Sequence, residues 1–358
     1  MSAKTHLAKA IHWPAGAQVH PREMLAAALG MGMPLLLAGA TGQIALGQAA
    51  ALGSLAIGAG AVAGSGIDAR DEARIRPLAA LLAPVAAAAG IAAALAGHGI
   101  LTDAIVLLLA GAAACLGGYS RPLAIAATRF VLFLIIATGA ASAAPHRAGF
   151  LLLALAGALW TCLLCLLLAP RATALPQADT RLPLPLPLPT TAQRLRRWRR
   201  TLSQWAGWQY TLRLVLGLGC AGILRGMFPN HHFEWITLTV AILLQRQPEG
   251  FAVKATQRVA GTLLGVLGAS LLLGHQLPYW LVAFNAGWLA GIRPLLRLRN
   301  YLAYSAVMTP LMVMIMSASG PADGGMLMDR VAATAIGAVI VLLVDRIALK
   351  AAGGALAN

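Results

Sequence analysis

Apolar residues run along this chain in long uncharged blocks, with no strict alternation of apolar and polar positions. The blocks cover approximately residues 24–40, 44–66, 78–96, 103–118, 122–141 and 149–169, then 211–228, 233–245, 259–273, 278–292, 301–319 and 330–347. Most approach the roughly 20 residues, with tolerance to about 17, that one helix needs to cross the hydrocarbon of a bilayer. They are rich in Ala, Leu and Gly and show no period-two polar face. That argues for helices over barrel strands, the two arrangements that leave no backbone group unsatisfied in lipid. The pattern predicts an all-α, polytopic transmembrane bundle of about twelve helices, several of them short.

Composition agrees: 59% of the 358 residues are hydrophobic and 11% are charged, against roughly a quarter charged in an average soluble domain. The net charge of +16 changes the picture through its distribution. With the N-terminus inside, all of the 27 Lys and Arg except Arg147, Arg225 and Arg330 fall at inner helix ends or inner loops. This is the positive-inside bias of short loops. It predicts an inner-membrane protein with both termini cytoplasmic, and it accounts for the basic balance without nucleic acid. The N-terminal segment, MSAKTHLAKAIHWPAGAQVHPREM, lacks the compact apolar core of a cleaved signal peptide. The four cysteines lie inside apolar blocks, where they read as small hydrophobes.

The longest polar connection, about 170–208, divides the chain into an N-terminal membrane half (1–169), a linker (170–208) and a C-terminal membrane half (209–358). Alternating Leu and Pro from 182 to 189 predict an extended polyproline-like spacer. Thr190 or Thr191 then caps a short helix bearing Arg194, Arg196, Arg197, Arg199 and Arg200, with Trp198, Trp205 and Trp208 interleaved. Arginines mixed with tryptophans beside the bilayer read as a helix lying on an anionic leaflet. Weak similarity links the halves. Arg121-Pro-Leu parallels Arg293-Pro-Leu, Arg22 parallels Arg213, and the loop at 66–77 parallels the one from 245. Two six-helix halves with the same orientation are expected, a parallel repeat whose central interface carries the path in transporters that share the plan.

In the stretch 252–274, Lys254 and Arg258 lead into Gly261, Thr262 and Gly265. Gly261 and Gly265 share a helix face and allow a neighbouring helix close approach, while Thr262 bonds either back to its own helix or across to another. Arg258 has two readings. One is a snorkelling anchor near the interface. The other is a member, with Lys254, Arg293, Arg297 and Arg129 or Arg121, of a cationic ring at an inner mouth that attracts carboxylates. Trp235 or Trp288 would suit an aromatic body.

The longer run EWITLTVAILLQRQPEGFAVKATQRVAGTLLGVLGA, 234–269, resembles the membrane signature of the fusaric acid resistance and aromatic acid exporter-like family. In that signature an aromatic and threonines start a helix, a short polar loop follows, and Thr and Arg precede a Gly-Thr-x-x-Gly helix. Here these are Trp235, Thr237 and Thr239, then Glu249, Lys254, Thr256, Arg258, Gly261, Thr262 and Gly265. The resemblance implies an inner-membrane exporter of small organic anions such as aromatic carboxylates; related plant proteins are anion channels. The expected substrate-binding set is Arg258, Lys254, Arg293, Arg297, Arg129, Trp235 and Thr239, with Gly261, Thr262 and Gly265 packing helices.

The other candidates carry less. His231 to Glu234 offer metal-ligand types without the two-histidine spacing of a zinc helix, and also read as a pH-responsive outer gate. Asp345 and Arg346 form an interfacial pair, and Asp103 and Asp329 start helices, where a carboxylate meets the positive dipole end. No nucleophile and base pairing and no cofactor motif is present, so an enzyme is not expected. The expected partners are the bilayer, a small organic anion and anionic lipid at the basic linker, with room for a second copy of the chain or a periplasmic protein. The alternative function is a non-transporting scaffold that organises lipid or a partner through the linker.

Overall fold

The computed structural model describes residues 19–57, 72–143, 146–168, 190–244, 246, 251–273, 277–317 and 324–355. Among these residues there are thirteen helices and no strand. They are α1 (Pro21–Thr41), α2 (Ile44–Ile57), α3 (Glu72–Leu95), α4 (Ile100–Leu116), α5 (Arg121–Ala143), α6 (Arg147–Leu168) and α7 (Thr191–Leu202), then α8 (Trp205–Met227), α9 (Glu234–Leu243), α10 (Phe251–Leu273), α11 (Tyr279–Arg299), α12 (Tyr301–Ser317) and α13 (Gly324–Ala355). Twelve fall on the twelve apolar blocks, and α7 is the basic helix. The Leu-Pro spacer lies outside the described residues.

The chain is embedded in a membrane. Among the described residues four helices, α1, α5, α6 and α13, contain segments both long and apolar enough to cross one. The distribution of side chains is the reverse of a soluble core. Ala51, Ala88, Ala92, Ala154, Ala158 and Ala221 are fully buried, while Leu108 is 73% exposed and Leu152, Leu167, Ile223 and Leu271 are exposed with it. Lipid is as apolar as leucine, so helices associate through small residues that let backbones approach. At the α2–α6 contact a Cβ added to Gly53 would overlap the Ala154 carbonyl, and one added to Gly157 the Ala50 carbonyl. Between them Ser54 donates to the carbonyls of Gly30 at 2.7 Å and Gly157 at 3.0 Å.

Before α7, α1 packs on α2 and α6, α2 on α6, and α3 on α5 and α6. After α7, α8 packs on α9 and α13, α9 on α13, and α10 on α12 and α13. Contacts between the two groups run from α1 to α11, α8 to α4, α2 to α12 and α9 to α5. The helix α9 has only 10 residues, about 15 Å at 1.5 Å per residue, half the hydrocarbon thickness. Its residues are buried almost throughout, so protein surrounds its ends, the condition under which a broken helix is tolerated at membrane depth.

Three local expectations are corrected. Arg121 does open α5, but Arg293, Pro294 and Leu295 lie inside α11. What starts α12 is Asn300, whose side chain accepts from the Ala303 N–H at 3.0 Å; Ser120 does the same for Leu123 at α5. Both α5 and α12 are therefore opened by an N-cap side chain, and an Arg-Pro-Leu triplet follows only the first. Arg22 sits in the first turn of α1, whereas Arg213 lies deep in α8 and is buried. Finally, α8 begins at Trp205, so Trp205 and Trp208 belong to it and not to the surface helix.

Candidate functional site

Expected cationic residues from α5, α10 and α11 come within electrostatic range of Arg297. Arg297, exposed near the end of α11, is within electrostatic reach of Arg129 on α5, Lys254 on α10, Arg293 on α11 and Tyr301 on α12. Arg258 is 3% exposed and its side chain bonds that of Tyr301. The Lys254 ammonium stands 5.7 Å from the centroid of the same ring, and Tyr301 stacks on Tyr304 at 5.8 Å. Arg293 is buried and donates to the Leu55 carbonyl at 3.4 Å, which satisfies one of the open carbonyls in the last turn of α2. Among the described residues no carboxylate contributes to the field at Arg129 or Arg293. Arg121 is exposed at the start of α5. Glu249 and Asp71, weak candidates as the carboxylates of the two equivalent inner loops, lie outside the described residues.

Gly261 and Gly265 make the expected close approach, and their partner is α12. A Cβ on Gly261 would lie 2.5 Å from the Leu302 carbonyl oxygen and 2.6 Å from Ser305 Cβ; on Gly265, 2.5 Å from the Ala306 carbonyl oxygen. Ser305 donates to the Arg258 carbonyl at 3.3 Å, so the packing fixes the arginine's own turn. Thr262 is buried, and among the described residues its hydroxyl bonds neither back nor across. Replacing Gly261 or Gly265 by leucine is expected to lower the yield of folded protein, because overpacking typically costs about 1–3 kcal/mol and here the obstacle is backbone. Monodispersity in detergent reads this directly; unchanged yield and melting for both variants would remove the packing role.

The aromatic end of the motif differs from expectation. The Arg330 guanidinium lies 3.5 Å from the centroid of the Trp235 ring, so one face of that indole is already covered. Thr239 packs against Gly337 of α13, where an added Cβ would come within 2.9 Å of Thr239 Cβ. Trp288 is 62% exposed. Arg330 itself, placed outside by the charge distribution, is 2% exposed within the bundle. The missed signal is helix length: α13 starts at Gly324, six residues before the apolar block, so Arg330 sits in its second turn.

Away from this cluster, His231 Nδ1 lies 2.8 Å and His232 Nδ1 3.3 Å from the carboxylate of Asp329, and His231 stacks on Phe233 at 4.9 Å. No group of metal-ligand side chains occurs among the described residues. Arg225 pairs with Asp103, joining α8 to α4. Asp345 pairs with Arg213 at 2.6 Å, not with its neighbour Arg346, which is exposed. All four cysteines are free. The basic helix α7 carries the capping box of Thr190 and Gln193. Its Trp198 points into the protein and donates to the Cys115 carbonyl at 3.1 Å, leaving Arg196, Arg197, Arg199 and Arg200 exposed.

Residues 218–344, about a third of the chain, match the family model described as fusaric acid resistance protein-like. The match takes in α9 to α12, the last part of α8 and most of α13, and with them every residue of the expected substrate-binding and packing sets except Arg129. No curated protein and no solved structure matches the chain.

Proposed function

We propose that this protein moves small organic anions, aromatic carboxylates among them, across a bacterial inner membrane, along a path between two six-helix halves with the Arg297 cluster as its cytoplasmic mouth. The observation that carries the reading is the concentration of cations there: Arg297 acts on Arg129, Lys254 and Arg293, and Lys254 and Arg258 both stand at Tyr301. Cations on low-dielectric walls concentrate anions at a mouth. Arg129 comes from before α7 and the others from after it, which supports a mouth between the halves. The fusaric acid resistance-like match of residues 218–344 supports an organic-acid substrate. Purified protein in vesicles is expected to accelerate benzoate flux over protein-free vesicles, and equal rates would refute the proposal.

The parallel repeat draws support from the helix pairings. Contacts of α1 with α2 and α6 recur as α8 with α9 and α13, and those of α3 with α5 and α6 recur as α10 with α12 and α13. The contacts between groups exchange roles in the same way: α1 meets α11 as α8 meets α4, and α2 meets α12 as α9 meets α5. The halves are residues 1–169 and 209–358, joined by 170–208, with both termini cytoplasmic. Reporter fusions after residues 190 and 355 are expected to read cytoplasm, and those near 146, 230 and 322 the outside. A periplasmic signal at 190 would overturn the orientation.

The exposed arginines of α7 favour contact with anionic lipid, at about 1 kcal/mol per charge near the surface. Replacing Arg194, Arg196, Arg197, Arg199 and Arg200 by glutamine is expected to leave insertion intact and to weaken association with anionic lipid more than tenfold. A 190–208 peptide that binds neutral and anionic vesicles equally would end the idea. A scaffold without transport would keep this contact and show no benzoate flux.

A further inference from the structure

Beyond the mouth, the interior of the C-terminal half holds charge that nothing among the described residues compensates. Arg258 on α10 and Arg330 on α13 are both almost fully buried and close enough to feel each other's charge. Arg258 Nε and Arg330 Nε and Nη1 have no hydrogen-bond partner among the described residues. Neither do the hydroxyls of Thr262, one turn along α10 from Arg258, and Thr237, two residues beyond Trp235 on α9. No carboxylate among the described residues acts on Arg330. A buried ion without a counterion is among the costliest arrangements in a protein, and a second like charge beside it adds to the cost. The Trp235 face under Arg330 offsets part of this through its quadrupole, but a ring face does nothing for the N–H groups at the guanidinium edge.

We propose that Arg258, Arg330 and Thr262 bind a compact monovalent anion of chloride size between α10 and α13, beside Trp235 of α9. All three side chains supply donors, guanidinium N–H and hydroxyl O–H, which is the inventory an anion needs. The size follows from the walls. Trp235, Ile236, Thr262 and Thr334 are buried, and the indole face that an aromatic body would stack on is taken by Arg330. Arg258 links the two places, since its side chain also bonds Tyr301 at the mouth. The site goes beyond the transport reading, because the buried charge calls for an anion whether or not that anion moves.

The test uses the full-length protein in detergent at constant ionic strength, with sodium gluconate replaced stepwise by sodium chloride. The melting temperature is expected to rise saturably, by about 5 °C at a hundredfold excess over Kd. Bromide should act alike, and Arg330→Gln and Thr262→Val should lose or weaken the rise. A rise that never saturates, or that survives intact in Arg330→Gln, would overturn the site. Should Arg330→Gln fail to fold, bromide-soaked crystals of the unmodified protein decide: an anomalous peak between Arg258 and Arg330 is expected, and its absence rejects the site. Benzoate competing with chloride for the same rise would refute a compact ligand. No flux enters these readouts, so benzoate transport without the chloride effect sinks only this site, and the chloride effect without benzoate transport sinks only the transport reading.

Discussion

Arg297→Gln is expected to lower benzoate flux at least tenfold at low substrate concentration while leaving the amount and melting of the protein unchanged. Arg297 is exposed, so its removal opens no cavity, yet it acts on each of Arg129, Lys254, Arg293 and Tyr301. A unit charge about 6 Å from a carboxylate contributes roughly 2–3 kcal/mol at an effective dielectric near 20, and about 1.4 kcal/mol is a factor of ten. The defect should shrink as salt shortens the screening length to about 3 Å at 1 M, and a neutral aromatic compound should be indifferent to the substitution. Arg258→Gln is a poorer test, because that side chain is buried and bonded to Tyr301, so its loss mixes packing with charge. Arg297→Lys separates two modes of action. Flux retained means attraction by charge alone; flux lost means recognition of the carboxylate by the guanidinium fork. If Arg297→Gln carries benzoate as well as the unmodified protein, the cluster is a set of interfacial anchors and the mouth lies elsewhere.

How much of this was legible in the sequence depends on whether the determining interaction is local. The twelve apolar blocks, the Thr190 cap of α7 and the close approach at Gly261 and Gly265 are set by spacings of a few residues, and the structure carries them as read. The nearness of Arg129, Lys254 and Arg293 to Arg297 was legible because Lys254 lies in the first turn of α10, Arg129 in the first half of α5, and Arg293 and Arg297 in the last two turns of α11, and short loops leave helix ends few places to go. Arg330 was not, because hydropathy marks where a helix becomes apolar and not where its first turn begins; Gly324 to Asp329 are helical but only moderately apolar. The capping of α2 by Arg293 was hidden for another reason. Leu55 and Arg293 are distant in sequence, and no periodicity in either segment reports on the other. The covering of Trp235 by Arg330 is of the same kind, and it changes what the motif's aromatic can do. The two Arg-Pro-Leu triplets show the limit from the other side: alike in sequence, one opens α5 and the other lies inside α11, where Asn300 and not Arg293 caps the next helix.

The ion pair of Arg213 and Asp345 gives the stability counterpart to the transport test. Asp345→Asn is expected to destabilise the protein by about 3–5 kcal/mol, the usual consequence of removing one member of a buried pair. That is a large share of the roughly 5–15 kcal/mol that holds a typical fold together. The Arg213 side chain is almost wholly buried and bonds Asp345 at 2.6 Å; its other bond in the described structure, from Nε to the Gln209 carbonyl at 3.3 Å, leaves the charge uncompensated. The cost is therefore that of a stranded cation more than of a lost attraction. Two further variants fix that interpretation. Arg213→Met combined with Asp345→Leu removes both charges and keeps the contact between α8 and α13 filled, so it should recover most of the loss. Arg346→Gln should cost nothing measurable, since Arg346 is exposed and Asp345 turns away from it to Arg213. Equal melting temperatures for Arg346→Gln and Asp345→Asn would mean that the aspartate serves its neighbour after all, as adjacency in the sequence invites one to read, and that the contact between α8 and α13 carries no charge of consequence.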